Sequence, residues 1–194
     1  MNEDERRSHI LEVAWKLFTN LGYKATTIET IAKASAMGKG TFYLSFATKE
    51  EVLFALVEKA GNSWAASADL ILASGERRIP LLIRAYLRDI LAFRDQYRLY
   101  RNLVFEATTL GTAPVVEAIR RLDRKFEEEL SRILAVLTER GLIEACDRDV
   151  VSAALLAAYS ALIERRDGEG EPFSEERVTS AMEAMLTGGL VREL

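Results

Sequence analysis

The chain has 194 residues, 49% of them hydrophobic, and a formal net charge of −4, which is somewhat more than one typical domain and enough to bury a substantial core. Its single cysteine, Cys146, excludes an internal disulfide and suits a reducing cytoplasm. The acidic balance argues against a membrane-surface role, the charged opening MNEDERR lacks the apolar core of a signal peptide, and the longest apolar stretch, Val150 to Ile163, is too short to span a bilayer.

The first predicted helix runs from about Glu3 to Leu21, where Ile10, Val13, Ala14, Leu17, Phe18 and Leu21 recur on one stripe at helical spacing. His9 lies off that stripe with no Cys or carboxylate cluster at ligand spacing, so it reads as a surface residue, and no metal or other cofactor is expected. Thr26 and Glu29 then stand as S/T-x-x-E, the spacing of a capping box with Thr26 as the N-cap. Ile28, Ile31 and Ala32 form the apolar face of a short helix ending near Ala34. A tight turn containing Met37 leads to a second helix from about Lys39 to Ser45. Phe42 and Phe46 point inward from it, Lys39, Thr41, Tyr43 and Leu44 point outward, and Gly40 permits close approach. Two helices joined by so short a turn make a helix-turn-helix, over about residues 26–46. In that motif the second helix enters the major groove of double-stranded DNA. Thr48 and Glu51 repeat the capping-box spacing, so a further helix starts there with Lys49 in its first turn and its positive dipole end facing outward. By spacing alone these could still be ordinary short structural helices.

The wording of the segment narrows that choice. Leu17, Phe18, Gly22 and Tyr23, then Thr26, Thr27, Ile31 and Ala32, then Lys39, Gly40, Thr41, Tyr43 and Phe46, and finally Lys49 and Glu50, closely resemble the DNA-binding domain of the TetR family of transcriptional regulators. The resemblance covers Ile10 to Glu51, about a quarter of the chain. It implies that Thr27, Tyr43 and Lys49 contact phosphate, and that Lys39, Gly40, Thr41 and Leu44 lie nearest base edges. Three positions depart from the family pattern. Ala36 replaces a turn glycine, Gly38 replaces a capping serine, and Leu44 stands where His or Tyr is common. Leucine can offer only apolar contact, for example to a thymine methyl. Residues 1–50 carry seven Lys and Arg against six Asp and Glu, while residues 51–194 carry 19 against 24. With so weakly basic a head, affinity must rest on a few placed cations, Lys39 and Lys49 first, and on duplication of the site.

The pattern therefore predicts an all-α protein of about nine helices, with a three-helix DNA-binding head (1–47) joined to a larger helical effector-binding and dimerisation body (48–194). The helix opened by Thr48 carries Leu53, Leu56, Val57, Ala60 and Trp64 on one stripe and is expected to reach about Ala73. Further helices are expected at roughly Pro80 to Arg94, Gln96 to Thr109, Pro114 to Arg140, Arg148 to Arg165 and Glu175 to Leu190. The segment Val150 to Ile163 is apolar nearly all round, which suggests burial on both sides. Val178, Ala181, Met182, Met185, Leu186, Gly189 and Leu190 stripe the last helix, with Ser174 as N-cap and a Phe173 to Val178 staple. A homodimer is expected through these two helices as a four-helix bundle, with Val151, Leu155, Tyr159, Leu162, Val178, Met182, Met185, Leu186 and Gly189 at the interface. Packing of both stripes within one subunit is the alternative.

Tyr86, Phe93, Tyr97, Tyr100, Arg101, Phe105, Glu106 and Thr108 interleave aromatic and polar groups as ligand pockets do, and as cores do. The family resemblance implies an effector cavity among these helices for a small apolar or aromatic molecule. The function expected is a sequence-specific cytoplasmic transcriptional regulator, a repressor released from a pseudo-palindromic operator by its effector. The alternatives are a helical ligand-binding or scaffold protein with a vestigial head, and an all-helical enzyme. Against the last, one His and one Cys supply no Ser/His/Asp or Cys/His set, and no phosphate loop is present.

Overall fold

The structure, a computed structural model, describes residues 2–79, 81–82, 84–85, 94–164 and 173–190. These residues form eight α-helices: α1 (Glu3–Leu21), α2 (Ile28–Ala34), α3 (Lys39–Tyr43), α4 (Lys49–Ala73), α5 (Arg94–Leu110), α6 (Ala113–Glu139), α7 (Arg148–Glu164) and α8 (Glu175–Leu190). The helix expected from Pro80 to Arg94 falls largely outside the described residues, although Ile79, Leu81, Leu82, Arg84 and Ala85 are helical. None of the described helices is long and apolar enough to cross a membrane.

The chain forms two compact units, Met1–Ala60 with Asp95–Leu122, and Gly61–Arg94 with Asp123–Leu194. In the first unit α1 begins with a complete capping box. The Glu5 amide donates to Asn2 Oδ1 at 2.8 Å, and the Asn2 amide donates to Glu5 Oε2 at 2.9 Å. Its stripe buries Ile10, Ala14 and Phe18, leaves Val13 and Leu17 half-buried, and ends on an exposed Leu21. Ile31 and Ala32 of α2, Phe42 of α3, Phe46, and Val52, Leu53, Leu56 and Val57 of α4 are buried in the same unit. The structure moves the N-cap of α2 from Thr26 to Thr27, whose Oγ1 accepts the Thr30 amide at 3.1 Å. Thr26 is instead fully buried and donates its hydroxyl to the Gly22 carbonyl at 2.8 Å. At α4 the Glu51 amide does donate to Thr48 Oγ1 (3.1 Å), but the Glu51 carboxylate accepts from the Ala47 amide (2.8 Å) rather than from that of Thr48.

The second unit has two apolar clusters. Phe126 and Leu130 of α6 pack with Val178 and Met182 of α8, flanked by Trp64, Leu155, Leu156, Ala158 and Phe173. Trp64 meets Phe126 edge-on with ring centroids 5.2 Å apart. Leu72, Ile79 and Leu82 pack with Leu134, Leu137 and Ile143, and Val151 joins them. Gly61 lets the Lys125 side chain lie close, since a Cβ there would come 2.5 Å from Lys125 Cδ and would displace it.

These clusters correct the expected interface. Val178 and Met182 are buried in their own subunit, and Val151 and Leu155 also pack inward. Of the others, Met185 is exposed, while the side chains of Tyr159, Leu162, Leu186 and Gly189 lie outside the described residues. The opposite side of α7 is left open, with Val150, Ala153, Ala154, Ala157 and Ala161 exposed at i, i+3, i+4, i+7 and i+11. A stripe that is apolar on both sides of a helix cannot say which side faces the subunit's own core. Met182→Ala should therefore lower unfolding free energy by about 2–5 kcal/mol in urea denaturation. An unchanged midpoint would contradict burial within the subunit.

Candidate nucleic-acid interface

The turn between α1 and α2 is short, and its backbone polar groups must find partners without a helix to supply them. Gly22 ends α1 at φ 84°, a left-handed value that favours glycine, and its amide closes on the Phe18 carbonyl. The Tyr23 and Lys24 amides donate to Glu106 of α5, one to each carboxylate oxygen, both at 2.9 Å. The Tyr23 and Thr26 carbonyls accept from the Lys49 ammonium at 2.8 and 2.7 Å, and that ammonium lies 4.1 Å from the centre of the Tyr23 ring. Tyr23 donates its hydroxyl to Glu50 at 3.0 Å. Burial, then Glu50, raises the Tyr23 phenol above its ordinary value, while burial lowers that of Lys49 against the opposing charges of Glu50 and Glu106. Asn102, one turn before Glu106 on α5, donates to the Thr19 carbonyl at 2.6 Å and so satisfies one free end of α1.

Two of the three departures from the family pattern lie in the turn into α3, and the third, Leu44, is the C-cap of that helix. Ala36 has φ 53°, the one positive value at a non-glycine position among the described residues. Gly38 is the N-cap of α3 and provides no side-chain bond to its first amides. Phe42 anchors the helix at 0% exposure and packs against Phe46, ring centroids 6.3 Å apart. From α1, Arg6 donates to Ser45 Oγ at 2.7 Å, and Arg7 donates to the Ser45 carbonyl while lying 4.1 Å over the Phe46 ring. Arg6 and Arg7 are missing from the sequence expectations because they stand almost forty positions before Ser45, beyond any local spacing rule.

The outward face of α3 matches its expected composition. Lys39 and Gly40 are exposed, Tyr43 is 46% and Leu44 71% exposed, and Thr41 is half-buried. A Cβ at Gly40 would meet nothing within 4 Å, so no contact inside the chain requires glycine there. Glycine inside a helix costs up to about 1 kcal/mol relative to alanine, and among the described residues no close packing offsets that cost. Lys39 pairs with Glu29 of α2, which raises the lysine and lowers the glutamate from their ordinary values. Both groups are exposed, so the pair stabilises little and Lys39 can exchange it for another anion. Thr27 is exposed beside the same face, its hydroxyl shared with Thr30 at 2.9 Å. Lys49 departs from expectation: two of its three donors serve backbone carbonyls, so its main work is to hold the turn.

Of the seven effector residues expected besides Glu106, four have described side chains. Arg101, Phe105 and Thr108 are exposed on α5, Phe105 at 66%, and the Thr108 hydroxyl returns to the Val104 carbonyl at 2.8 Å. Tyr100 is half-buried, and Tyr86, Phe93 and the side chain of Tyr97 lie outside the described residues. The buried face of α5 presents Leu99, Leu103 and Glu106. Periodicity could have indicated this, since these three positions follow i, i+4 and i+7.

Residues 10–56 match the family described as "Bacterial regulatory proteins, tetR family". The HTH-type transcriptional regulator YhgD of Bacillus subtilis is 30% identical over 188 residues, spanning 96% of this chain and 97% of that protein. The triclosan complex of SmeT, the repressor of a multidrug efflux pump of Stenotrophomonas maltophilia, superposes with a TM-score of 0.78 at 18% identity, over 97% of this chain and 93% of that one. A transcriptional regulator from Saccharomonospora viridis in complex with choline superposes with a TM-score of 0.73 at 15% identity, over 98% and 100% of the two chains.

Ala36→Gly should relieve the left-handed strain and stabilise the protein by about 1 kcal/mol, measured as a rise in the thermal midpoint. A fall would mean that Ala36 does not hold its positive φ.

Proposed function

The chain belongs to the TetR family and is a helix-turn-helix transcriptional regulator, and from that premise we propose that it is a homodimeric repressor released from a pseudo-palindromic operator by a small effector. One observation carries the reading. Helix α3 buries Phe42 and presents Lys39, Gly40, Tyr43 and Leu44 to solvent as a continuous face, on which Lys39 makes an exposed pair with Glu29 that another anion can replace. Lys39, Tyr43 and Thr27 meet phosphates, Gly40 and Thr41 approach the base edges, and Leu44 packs against thymine methyls. Lys49 supports this contact chiefly by fixing the turn, with one donor left for a phosphate.

The dimer forms through the open side of α7, where Val150, Ala153, Ala154, Ala157 and Ala161 allow close approach of a second copy, together with exposed residues of α8 such as Met185. Two-fold symmetry then places two recognition helices in successive major grooves, about 34–36 Å apart. SmeT with triclosan and the S. viridis regulator with choline support a small organic effector, and an apolar or aromatic one suits the composition of the helical body. Release follows if the effector binds the form that does not fit DNA better than the form that does. The protein acts in the cytoplasm by binding and not by catalysis.

Binding to duplexes selected from a random-sequence pool tests this reading. Lys39→Ala should weaken binding and reduce the slope of log affinity against log salt by about one, and Tyr43→Phe should weaken it without changing subunit association. Normal binding by both variants would contradict the α3 assignment. Ala157→Glu should convert the dimer to monomer in sedimentation at micromolar concentration. A dimer that survives would place the interface elsewhere.

A further inference from the structure

We propose that Glu106, with Asn102, is the positioning residue for DNA reading: α5 holds the α1–α2 turn through them and so sets the placement of α2 and α3. The proposal rests on the DNA-reading role of α3 and adds a residue outside the helix-turn-helix to it.

Glu106 is 5% exposed, on a helix whose neighbouring Phe105 is 66% exposed. Burying a carboxylate is costly unless hydrogen bonds compensate it. Here each oxygen takes one backbone amide, from Tyr23 and Lys24. Such charge-assisted bonds are stronger than neutral ones. The turn is shaped around the carboxylate. A Cβ at Gly22 would come 3.3 Å from Glu106 Oε2, and Gly22 has the positive φ that brings the following two amides to the same anion. Asn102 adds its bond to the Thr19 carbonyl, so α5 engages α1 and the turn at positions i and i+4 on one face.

The consequence for DNA follows from proximity in the chain. Lys24 is followed within three residues by Thr27, the cap of α2 and a predicted phosphate contact, and Tyr23 and Thr26 hold Lys49 at the start of α4. Helix α1 also carries two polar atoms without partners. Trp15 Nε1 and Thr19 Oγ1 are buried without hydrogen bonds. These atoms add no polar bond to α5, whereas Asn102 and Glu106 supply three to α1 and the turn. No phosphate contact belongs to either residue, and their effect on DNA binding must pass through position.

Glu106→Gln tests this in the full-length protein. A glutamine amide can accept from only one of the two N–H groups and turns its own donor toward the other. Operator affinity, measured on duplexes selected by the wild type, should fall about tenfold. The salt slope and the active fraction in stoichiometric titration should stay unchanged. Asn102→Ala, the milder variant, should act in the same direction. In ¹H–¹⁵N spectra both variants should shift amides of Ile28 to Tyr43 as well as those of the turn. Unchanged affinity, or shifts confined to residues 22–26, would overturn the positioning role and leave Glu106 a local structural bond. A reduced salt slope would also overturn it, by making Glu106 part of the phosphate contacts. Failure of the wild type to select any DNA would overturn the regulator reading instead. The spectra would then decide this proposal alone, spread into α2 and α3 supporting it and confinement to the turn overturning it.

Discussion

The arrangement of the DNA-reading end depends on how the backbone of residues 22–26 is satisfied. Within this turn the Thr26 amide closes on the Tyr23 carbonyl at 3.2 Å, but the Tyr23 and Lys24 amides have no such partner, and leaving them buried and unpaired would destabilise the fold. The chain resolves this with opposite charges. The carboxylate of Glu106 takes two amides, and the ammonium of Lys49 serves two carbonyls. Neither ion is an isolated charge, since the half-buried Lys49 ammonium also lies 4.1 Å over the Tyr23 ring and is attracted by the charge of Glu106. Remove either and the remaining one is buried with fewer partners, which is the unfavourable case for buried charge.

From that turn the rest of the head follows as a series of local constraints. Thr27 caps α2, the strained Ala36 turns the chain, and Phe42 and Phe46 fix α3 in the core. Arg6 and Arg7 hold the Ser45 end of α3 against α1. What is left over is the outward face. Its Lys39–Glu29 pair is exposed and therefore weak, so the charged side chain can exchange its partner while Phe42 anchors the helix. That combination suits a surface whose partner is a polyanion.

Helix existence and extent were legible in the sequence because apolar periodicity and caps act locally. The expected span of α1, Glu3 to Leu21, and of α8, Glu175 to Leu190, are those observed. The inward role of Phe42 and Phe46 was legible for the same reason. Thr26 and Thr27 were not separable, since either could cap α2, and only the contact with the Gly22 carbonyl buries Thr26. The side of α7 and α8 that faces the core was also hidden. Leu155 and Val178 look as suitable for a partner chain as Ala157 does until Phe126 and Leu130 are known to cover them. Lys49 and Glu106 could not be assigned from spacing, because their partners are backbone atoms more than twenty residues away. On α5 aromatic content and periodicity point to different faces: Phe105 is exposed, while Leu99, Leu103 and Glu106 are buried.

Amide hydrogen exchange in the wild-type protein tests the central claim most directly. The Tyr23 and Lys24 amides belong to no helix, and the Lys24 side chain is exposed, yet the two-oxygen clasp of Glu106 predicts that both exchange as slowly as the interior amides of α1. Exchange at the rate of an open solvent-exposed turn would contradict it.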